Sequence, residues 1–354
     1  MEFSENIGNI MRNSPAKERL IYDSSALFQI VDENHVLFRT LTGSFKLSGT
    51  GIAIALRKII SSFQSAISPE QVIEQLGCMY EKHALIRLVN FLKTKHILIS
   101  EAAFLDLTSF DQDFLEKYRY YSSSGKLLKE IVSDLHNMTI GLICTYQFAD
   151  CFLHNTANSS LIGRFNCIIT DRANYSIDNL TSKSEVVFFN NDSELQISDL
   201  IKKSDFIIIS SSFENYALFK FVNDQCLIEQ KKWIRVVVKS EHSEIGPLFV
   251  PGETCCYSCL NRRAINNMNE KAFSLYTLLQ ERSKIFDEFE TGTYSSYYMN
   301  LLTADIVYYE IMHFFTGLEC NLLGTVLTFF EDGYRMEKAR IFKYNQCVSC
   351  NEQG

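Results

Sequence analysis

Cys256-Tyr257-Ser258-Cys259 and Cys347-Val348-Ser349-Cys350 decide how this sequence is read. The two Cys-x-x-Cys knuckles, separated by 87 residues, offer four thiolates from two tight turns, the usual donor set of a closed tetrahedral zinc site. Four protein ligands leave no open coordination position, so such a site staples a fold and performs no chemistry. The alternative is two unrelated pairs of core cysteines. Equal spacing and polar turn residues in both pairs favour the metal, which names an architecture and not an activity.

At 354 residues the chain is long enough for two or three domains, and 46% hydrophobic with 21% charged residues is the composition of an ordinary globular protein. No run of 18 uninterrupted apolar residues occurs. The nearest, Leu301 to Leu318, contains Asp305, Glu310 and His313 and reads as a buried helix, so no membrane partner is expected. The start Met-Glu-Phe-Ser-Glu lacks the basic-then-apolar order of a signal peptide, and eleven scattered cysteines point to reduced thiols in the cytoplasm. A net charge of −8 and a pI near 5.5 argue against nucleic acid as the main partner.

Residues 1–105 read as a winged-helix domain. Leu27–Val31, His35–Thr40 and Ser44–Ser48 are short extended segments, with Asp32-Glu33-Asn34 and Thr42-Gly43 as turns. Gly51–Phe63, a helix opened by Ser68-Pro69-Glu70, and Tyr80–Lys95 follow, and Ile97–Ile99 returns as a strand. A winged helix commonly binds DNA, but this region holds eleven Lys or Arg against ten Asp or Glu. That balance lacks the footprint of phosphate contacts.

Residues 106–137 read as a polar connector ending in a helix, and 138–354 as an α/β domain with a largely parallel, Rossmann-type sheet. Its strands are Ile140–Thr145, Cys167–Asp171, Val186–Phe189, Phe206–Ser210 and Ile234–Val238. Leu322–Phe330 and Tyr334–Phe342 pair as a final hairpin around Glu331-Asp332-Gly333.

In such a sheet a nucleotide sits beyond the carboxyl ends of the strands, where glycines let backbone amides reach phosphate. Here Thr145-Tyr146-Gln147-Phe148-Ala149 follows the first strand and no glycine occurs until Gly163, so Tyr146, Gln147 and Phe148 are expected to obstruct a phosphate. Asp171 ends the second strand, where a ribose hydroxyl is commonly held; a turn-forming Asp is the alternative.

A sheet domain beginning near 138, the stretch Gly246-Pro247-Leu248-Phe249-Val250-Pro251-Gly252-Glu253-Thr254-Cys255-Cys256-Tyr257-Ser258-Cys259-Leu260 and the terminal Cys347-x-x-Cys350 resemble the ThiF-like, ubiquitin-activating-enzyme-like proteins. More narrowly, they resemble members that act in the biosynthesis of thiazole/oxazole-modified microcins and related ribosomal peptides (RiPPs), a bacteriocin and antibiotic setting. Phe38 to Arg57, with Gly43, Leu47-Ser48-Gly49 and Gly51, looks like the start of their peptide recognition element. Tyr118-Arg119-Tyr120-Tyr121-Ser122 resembles the segment that joins the two domains.

The resemblance implies a winged helix that binds the leader of a precursor peptide as an added strand. The groove would lie between Ser44, Phe45, Lys46, Leu47 and Ser48 and the helix that carries Lys82 and Arg87. It implies a homodimer and a structural Zn2+ held by Cys256, Cys259, Cys347 and Cys350. It also implies a sheet domain that either spends ATP/Mg2+ on a carboxylate or serves as scaffold for a YcaO-type cyclodehydratase. Asp171, Arg172, Asn179 and Lys183 are the candidate nucleotide-binding residues. Two departures favour the scaffold: the glycine turn is missing, and Ser176–Lys183 only partly echoes the family's Ser-Asn-Leu-x-Arg-Gln, with Ser182 and Lys183 in place of Arg and Gln. A third lies at Ser210–Asn215, which lacks the usual Asp. Whether the chain is itself an enzyme stays open at this point, and no catalytic residue is assigned. Cys255 is a spare core cysteine or a reactive thiol. Arg262 and Arg263 either grip an acidic peptide or solvate a helix start. Among the seven histidines no His-x-x-x-His pair occurs, and no Gly-x-Ser-x-Gly elbow.

Overall fold

The chain divides between Ile131 and Val132 into two units, Met1–Ile131 and Val132–Gly354, and the boundary falls inside the segment 106–137. The computed structural model describes residues 18–41, 43–159, 161–170, 185–188, 194–282 and 296–351.

In the first unit, β1 (Leu20–Tyr22) pairs antiparallel with β5 (Leu98–Ser100), and β2 (Leu27–Asp32), β3 (His35–Thr40) and β4 (Gly43–Ser48) form an antiparallel sheet in that order. Strand β3 shows why: Val36 and Phe38 are buried while Leu37 and Arg39 alternate outwards. Its helices are α1 (Ile52–Ser62), α2 (Pro69–Leu76), α3 (Lys82–Thr94), α4 (Glu101–Leu107) and α5 (Gln112–Tyr118), and α6 (Leu128–Asn137) begins here. The turn from β4 into α1 needs Gly51, whose φ of 68° suits a residue without Cβ. Asn34, in the β2–β3 turn, ties that loop down by accepting from Gly51 N at 2.8 Å and Gly49 N at 3.0 Å.

Helix α2 opens on a reciprocal cap in which Gln71 N donates to Ser68 Oγ and Ser68 N to Gln71 Oε1, both at 3.3 Å. Such a cap is worth about 1 kcal/mol. Leu20, Val36, Phe38, Leu56, Ile59, Phe63, Val89 and Leu92 close the core. After α5 a 3-10 turn (Arg119–Ser124) sends Arg119 back to the buried Asp23, whose Oδ1 also accepts from Ser25 N and Oγ at 2.9 and 2.8 Å.

The second unit is α/β with a large mixed sheet. Strands β6 (Thr139–Cys144), β7 (Arg164–Ile169), β8 (Glu185–Phe188), β9 (Phe206–Ser211) and β10 (Lys232–Val238) are parallel. Strands β11 (His242–Phe249), β12 (Thr325–Phe330) and β13 (Arg335–Arg340) continue the sheet antiparallel, giving the order β13-β12-β11-β10-β9-β6-β7-β8. Every residue of β9 is buried, as a parallel strand covered on both faces requires. The covering helices are α7 (Tyr146–Ser159), α8 (Glu194–Lys203), α9 (Tyr216–Ile228) and α12 (Tyr297–Thr316). Alternation divides them: Ile143, Ile207 and Ile209 pack with α8 and α9, whereas Phe206 meets Phe314 and Phe315 of α12. Helices α10 (Tyr257–Asn266), α11 (Glu270–Arg282) and α13 (Val348–Asn351) complete the unit.

The five parallel strands fall within two to three residues of the expected ones, and the last hairpin pairs Phe330 with Arg335 across the turn at Gly333. Strand β11 was not foreseen, because Gly246-Pro247 interrupts it. The register shifts there, Gly246 and Pro247 together facing Arg235 of β10, and this bulge accommodates the proline that cannot donate to the ladder. Buried Glu310 in α12 is satisfied by Asn321 N at 2.6 Å and Asn321 Nδ2 at 2.9 Å. Among the described residues no helix is long and apolar enough to cross a membrane.

Candidate metal centre and its surroundings

Cys256 is the N-cap of α10 and Cys259 lies in its first turn, while Cys347 directly precedes α13, which carries Cys350. The four Sγ atoms lie within 4.8 Å of one another. Cys256–Cys259, Cys256–Cys347 and Cys259–Cys350 are separated by 3.8, 3.6 and 3.7 Å. A tetrahedral zinc with Zn–S near 2.3 Å requires sulfur–sulfur edges of about 3.8 Å, so the donor set fits. The hydroxyls of Ser258 and Ser349, one from each knuckle, meet at 2.9 Å. Tyr344 N donates to Cys259 Sγ at 3.3 Å.

Hydrogen bonding within the cluster separates two of its thiols. Cys259 Sγ accepts from Cys256 and is thereby lowered to about 4, whereas Cys256 is raised by donating and by burial. Burial and its sulfur neighbours push Cys350 up to about 12. A divalent ion held by Cys256, Cys259, Cys347 and Cys350 would take the place of thiol protons as their partner. Cys255 is buried, and burial pushes its thiol up to about 12, which favours a core role over a reactive thiol.

Tyr257 links the first knuckle to the sheet. Its N donates to Asn223 Oδ1 in α9 at 2.8 Å, and its hydroxyl donates to Glu214 Oε1 at 2.8 Å. Glu214 also receives the buried Arg235 of β10, through Nε at 3.1 Å and through Nη2. Arg235 Nη2 reaches Glu244 Oε2 at 2.8 Å, and Lys239 reaches Glu244 Oε1 at 3.0 Å. Burial alone would raise Glu244, but Arg235 and Lys239 hold it down at about 2. A buried guanidinium with two carboxylates is thus satisfied. The network escaped sequence reading; its signal was Arg235, a charge inside the β-branched run Ile234–Val238. Trp233 stacks on Phe249 at 4.4 Å and lies 6.4 Å from the Tyr257 ring. Arg262 covers the Tyr344 ring at 4.5 Å and Arg263 Nε donates to Phe342 O at 3.0 Å, so both brace the C-terminal segment.

Glu214 belongs to the loop after β9, and strand order reverses between β9 and β6, so this loop stands at the switch point of the sheet. Across it, α7 begins immediately after β6. Phe148 does not obstruct a phosphate there as expected: it is fully buried and stacks on Phe152 at 5.9 Å. Helical geometry turns it to the core, leaving Tyr146 and Gln147 half-buried at the helix start, with Asn300 Nδ2 donating to Gln147 Oε1 at 3.4 Å. Asp171, Arg172, Asn179 and Lys183 lie outside the described residues.

In the first unit, β4 is an edge strand. Phe45 and Leu47 point inwards and are half-buried, and Ser44, Lys46 and Ser48 are exposed. Phe45 stacks on Phe38 at 5.3 Å and meets Phe91 of α3 edge-on at 5.4 Å, with Lys95 Nζ over its ring at 5.7 Å. Arg87 is one turn before Phe91 and shares its stripe. Lys82, nine residues before Phe91, falls about 180° round the helix, and its stem lies beside Gly77 instead. The structure brings Ser44–Ser48 and Arg87 to one place, and Lys82 to another.

No family model matches the chain, and no curated protein matches it in sequence. Solved structures do match its fold. MccB of E. coli superposes with a TM-score of 0.70 at 16% identity, covering 94% of this chain and 97% of that one. MccB with AMPCPP and the peptide MccA gives 0.68 at 16% identity, covering 94% and 99%. The heterocyclase TruD gives 0.58 at 16% identity, covering 94% of this chain and 43% of that one. The fold of this chain is similar to that of MccB, the microcin C7 biosynthetic enzyme, over 94% of its length.

Proposed function

We propose that this chain takes part in the maturation of a ribosomally synthesised peptide. Its first unit is a winged helix that binds the precursor's leader along β4, and its second presents the core segment to a YcaO-type cyclodehydratase. The supporting observation is the edge of β4 beside Phe91, where β4 pairs with β3 alone among the described residues, in a fold that follows MccB, which has been solved with the peptide MccA. An edge strand supplies main-chain hydrogen bonds to any extended peptide, and flanking pockets supply selectivity. Ser44, Phe45, Lys46, Leu47, Ser48 and Arg87 carry the contact; Lys82 would act only from the far side of α3. Zn2+ at Cys256, Cys259, Cys347 and Cys350 holds α10 to the C-terminal segment, with no part in bond making. The protein works in the cytoplasm, as a homodimer.

The second reading is an ATP-dependent enzyme that activates a carboxylate itself. It is favoured by the match with MccB over 94% of this chain, since MccB has also been solved with ATP. Against it stand the missing glycine turn after β6 and the engagement of Glu214 by Arg235 at the switch point.

Phe45→Pro tests the docking reading. Proline removes the hydrogen bond by which Phe45 of β4 pairs with Phe38 of β3 and so distorts the edge strand, and precursor affinity should fall at least tenfold while the second unit stays folded. Undiminished affinity in a folded variant sinks this location for the leader.

A further inference from the structure

Three cations stand around the floor formed by Phe45, Leu47, Leu88 and Phe91, and none is neutralised among the described residues. Lys46 is on the outward face of β4, Arg87 is exposed on α3, and Lys95 reaches over Phe45. Among the described residues, Lys93 is paired with Glu18 at 2.7 Å, while Lys46, Arg87 and Lys95 have no carboxylate partner. The nearest acid along α3 is Glu81 at its N-cap, about 15 Å from Phe91 along the axis. In a chain of net charge −8, and a region where acids and bases nearly balance, this is a local excess of positive charge.

Spacing turns the excess into a pattern. Arg87 and Lys95 are two helical turns apart, about 12 Å, which an added strand covers in about four residues. Four is an even number, so two side chains that far apart share one face of the strand. With both facing α3, the residue midway between them faces the apolar floor around Phe91 and Leu88. The residues between point outwards, and one of them falls beside Lys46.

Resting on the docking reading above, we infer that the segment captured at β4 is acidic and apolar by turns. Two carboxylates four residues apart would meet Arg87 and Lys95, an apolar side chain midway between them would meet Phe91, and Lys46 favours a further acid on the outer face. Charge complementarity selects the occupant; the main-chain ladder does not.

Short fluorescein-labelled peptides centred on Glu-Thr-Leu-Thr-Glu and on Lys-Thr-Leu-Thr-Lys, followed by anisotropy with the full chain, test this. The glutamate peptide should bind about tenfold tighter at low salt, and the preference should shrink as salt screens it. The double variant R87E/K95E, whose fold circular dichroism checks, should reverse the order. Equal binding of both peptides, with both weakened by Phe45→Pro, overturns the acidic preference and leaves edge docking standing. An unchanged order in R87E/K95E overturns it equally. Binding of the glutamate peptide untouched by Phe45→Pro, or no binding of either peptide, defeats the docking reading and this inference together.

Discussion

The Tyr257 hydroxyl donates to Glu214 Oε1 at 2.8 Å, so the residue that follows the first metal-site cysteine holds the loop at the sheet's switch point. The four-cysteine cluster and that loop are therefore parts of one braced body, joined through a single side chain and closed by Arg235. Tyr257→Phe should cost about 1–2 kcal/mol, because the Glu214 carboxylate loses a partner while most of the ring packing survives. Metal content should be unchanged. Urea unfolding with parallel zinc analysis measures both, and a variant as stable as the parent removes the brace from the account.

Purified protein should contain about one zinc per chain, bound by four sulfurs. Cys347→Ser leaves three sulfurs and should lower the melting temperature or the soluble yield, since metal binding at such a site is folding energy. A metal-free preparation that melts where the metal-loaded one does counts decisively against the centre.

Arg119→Ala isolates Asp23, which is buried and whose carboxylate otherwise accepts from Ser25 alone among the described residues. Removing one partner from a buried ion pair costs about 3–5 kcal/mol, and the partial exposure of Arg119 puts this case at about 2–3. Thermal denaturation of the first unit should register the loss; a change below about 0.5 kcal/mol is the size of an ordinary surface substitution and would falsify the role given to Arg119.

Glu244 predicts an acid limb. Held down at about 2 by Arg235 and Lys239 against the upward push of burial, it adds stability that is complete above its unfolded value of 4.5. That contribution is lost as pH falls through about 2. Glu244→Gln should lower stability at neutral pH by about 2 kcal/mol, and should flatten its decline between pH 4.5 and 2. Denaturant unfolding across that range decides; parallel slopes in the two proteins exclude Glu244 as the source.

Given precursor and magnesium–ATP, the isolated protein should release neither AMP nor ADP above background. The motive is now narrower than three obstructing side chains, because Phe148 is in the core and only Tyr146 and Gln147 flank the start of α7. Nucleotide binding in the micromolar range, or product release abolished by Asp171→Ala, would move the assignment to an ATP-dependent enzyme.

Local signals carried most of the fold. The β-branched strands, the Ser68-Pro69 helix start and the Gly333 hairpin are written in short stretches whose chemistry admits few conformations. Strand β11 was not legible because Gly246-Pro247 reads as a breaker, and only the pairing with β10 shows that both residues fit in the strand by facing Arg235 together. The cysteines could be grouped by spacing alone. Phe148 could not be placed, since residues after a strand say nothing of which way the first helical turn faces. Nor could Lys82 and Arg87 be separated until the side of α3 that meets Phe45 was known. The Tyr257–Glu214–Arg235–Glu244 network joins residues from distant segments, and no local pattern announces it.

Trp233 is the chain's one indole, wedged between Phe249 and the Tyr257 ring in the core beside the knuckles. Light emission excited at the red edge therefore comes from a single address in the second unit, and the first unit is dark in that channel. An optical titration with chelator or denaturant would watch the four-cysteine side of the second unit lose its packing without any label, while melting of the first unit passed unseen.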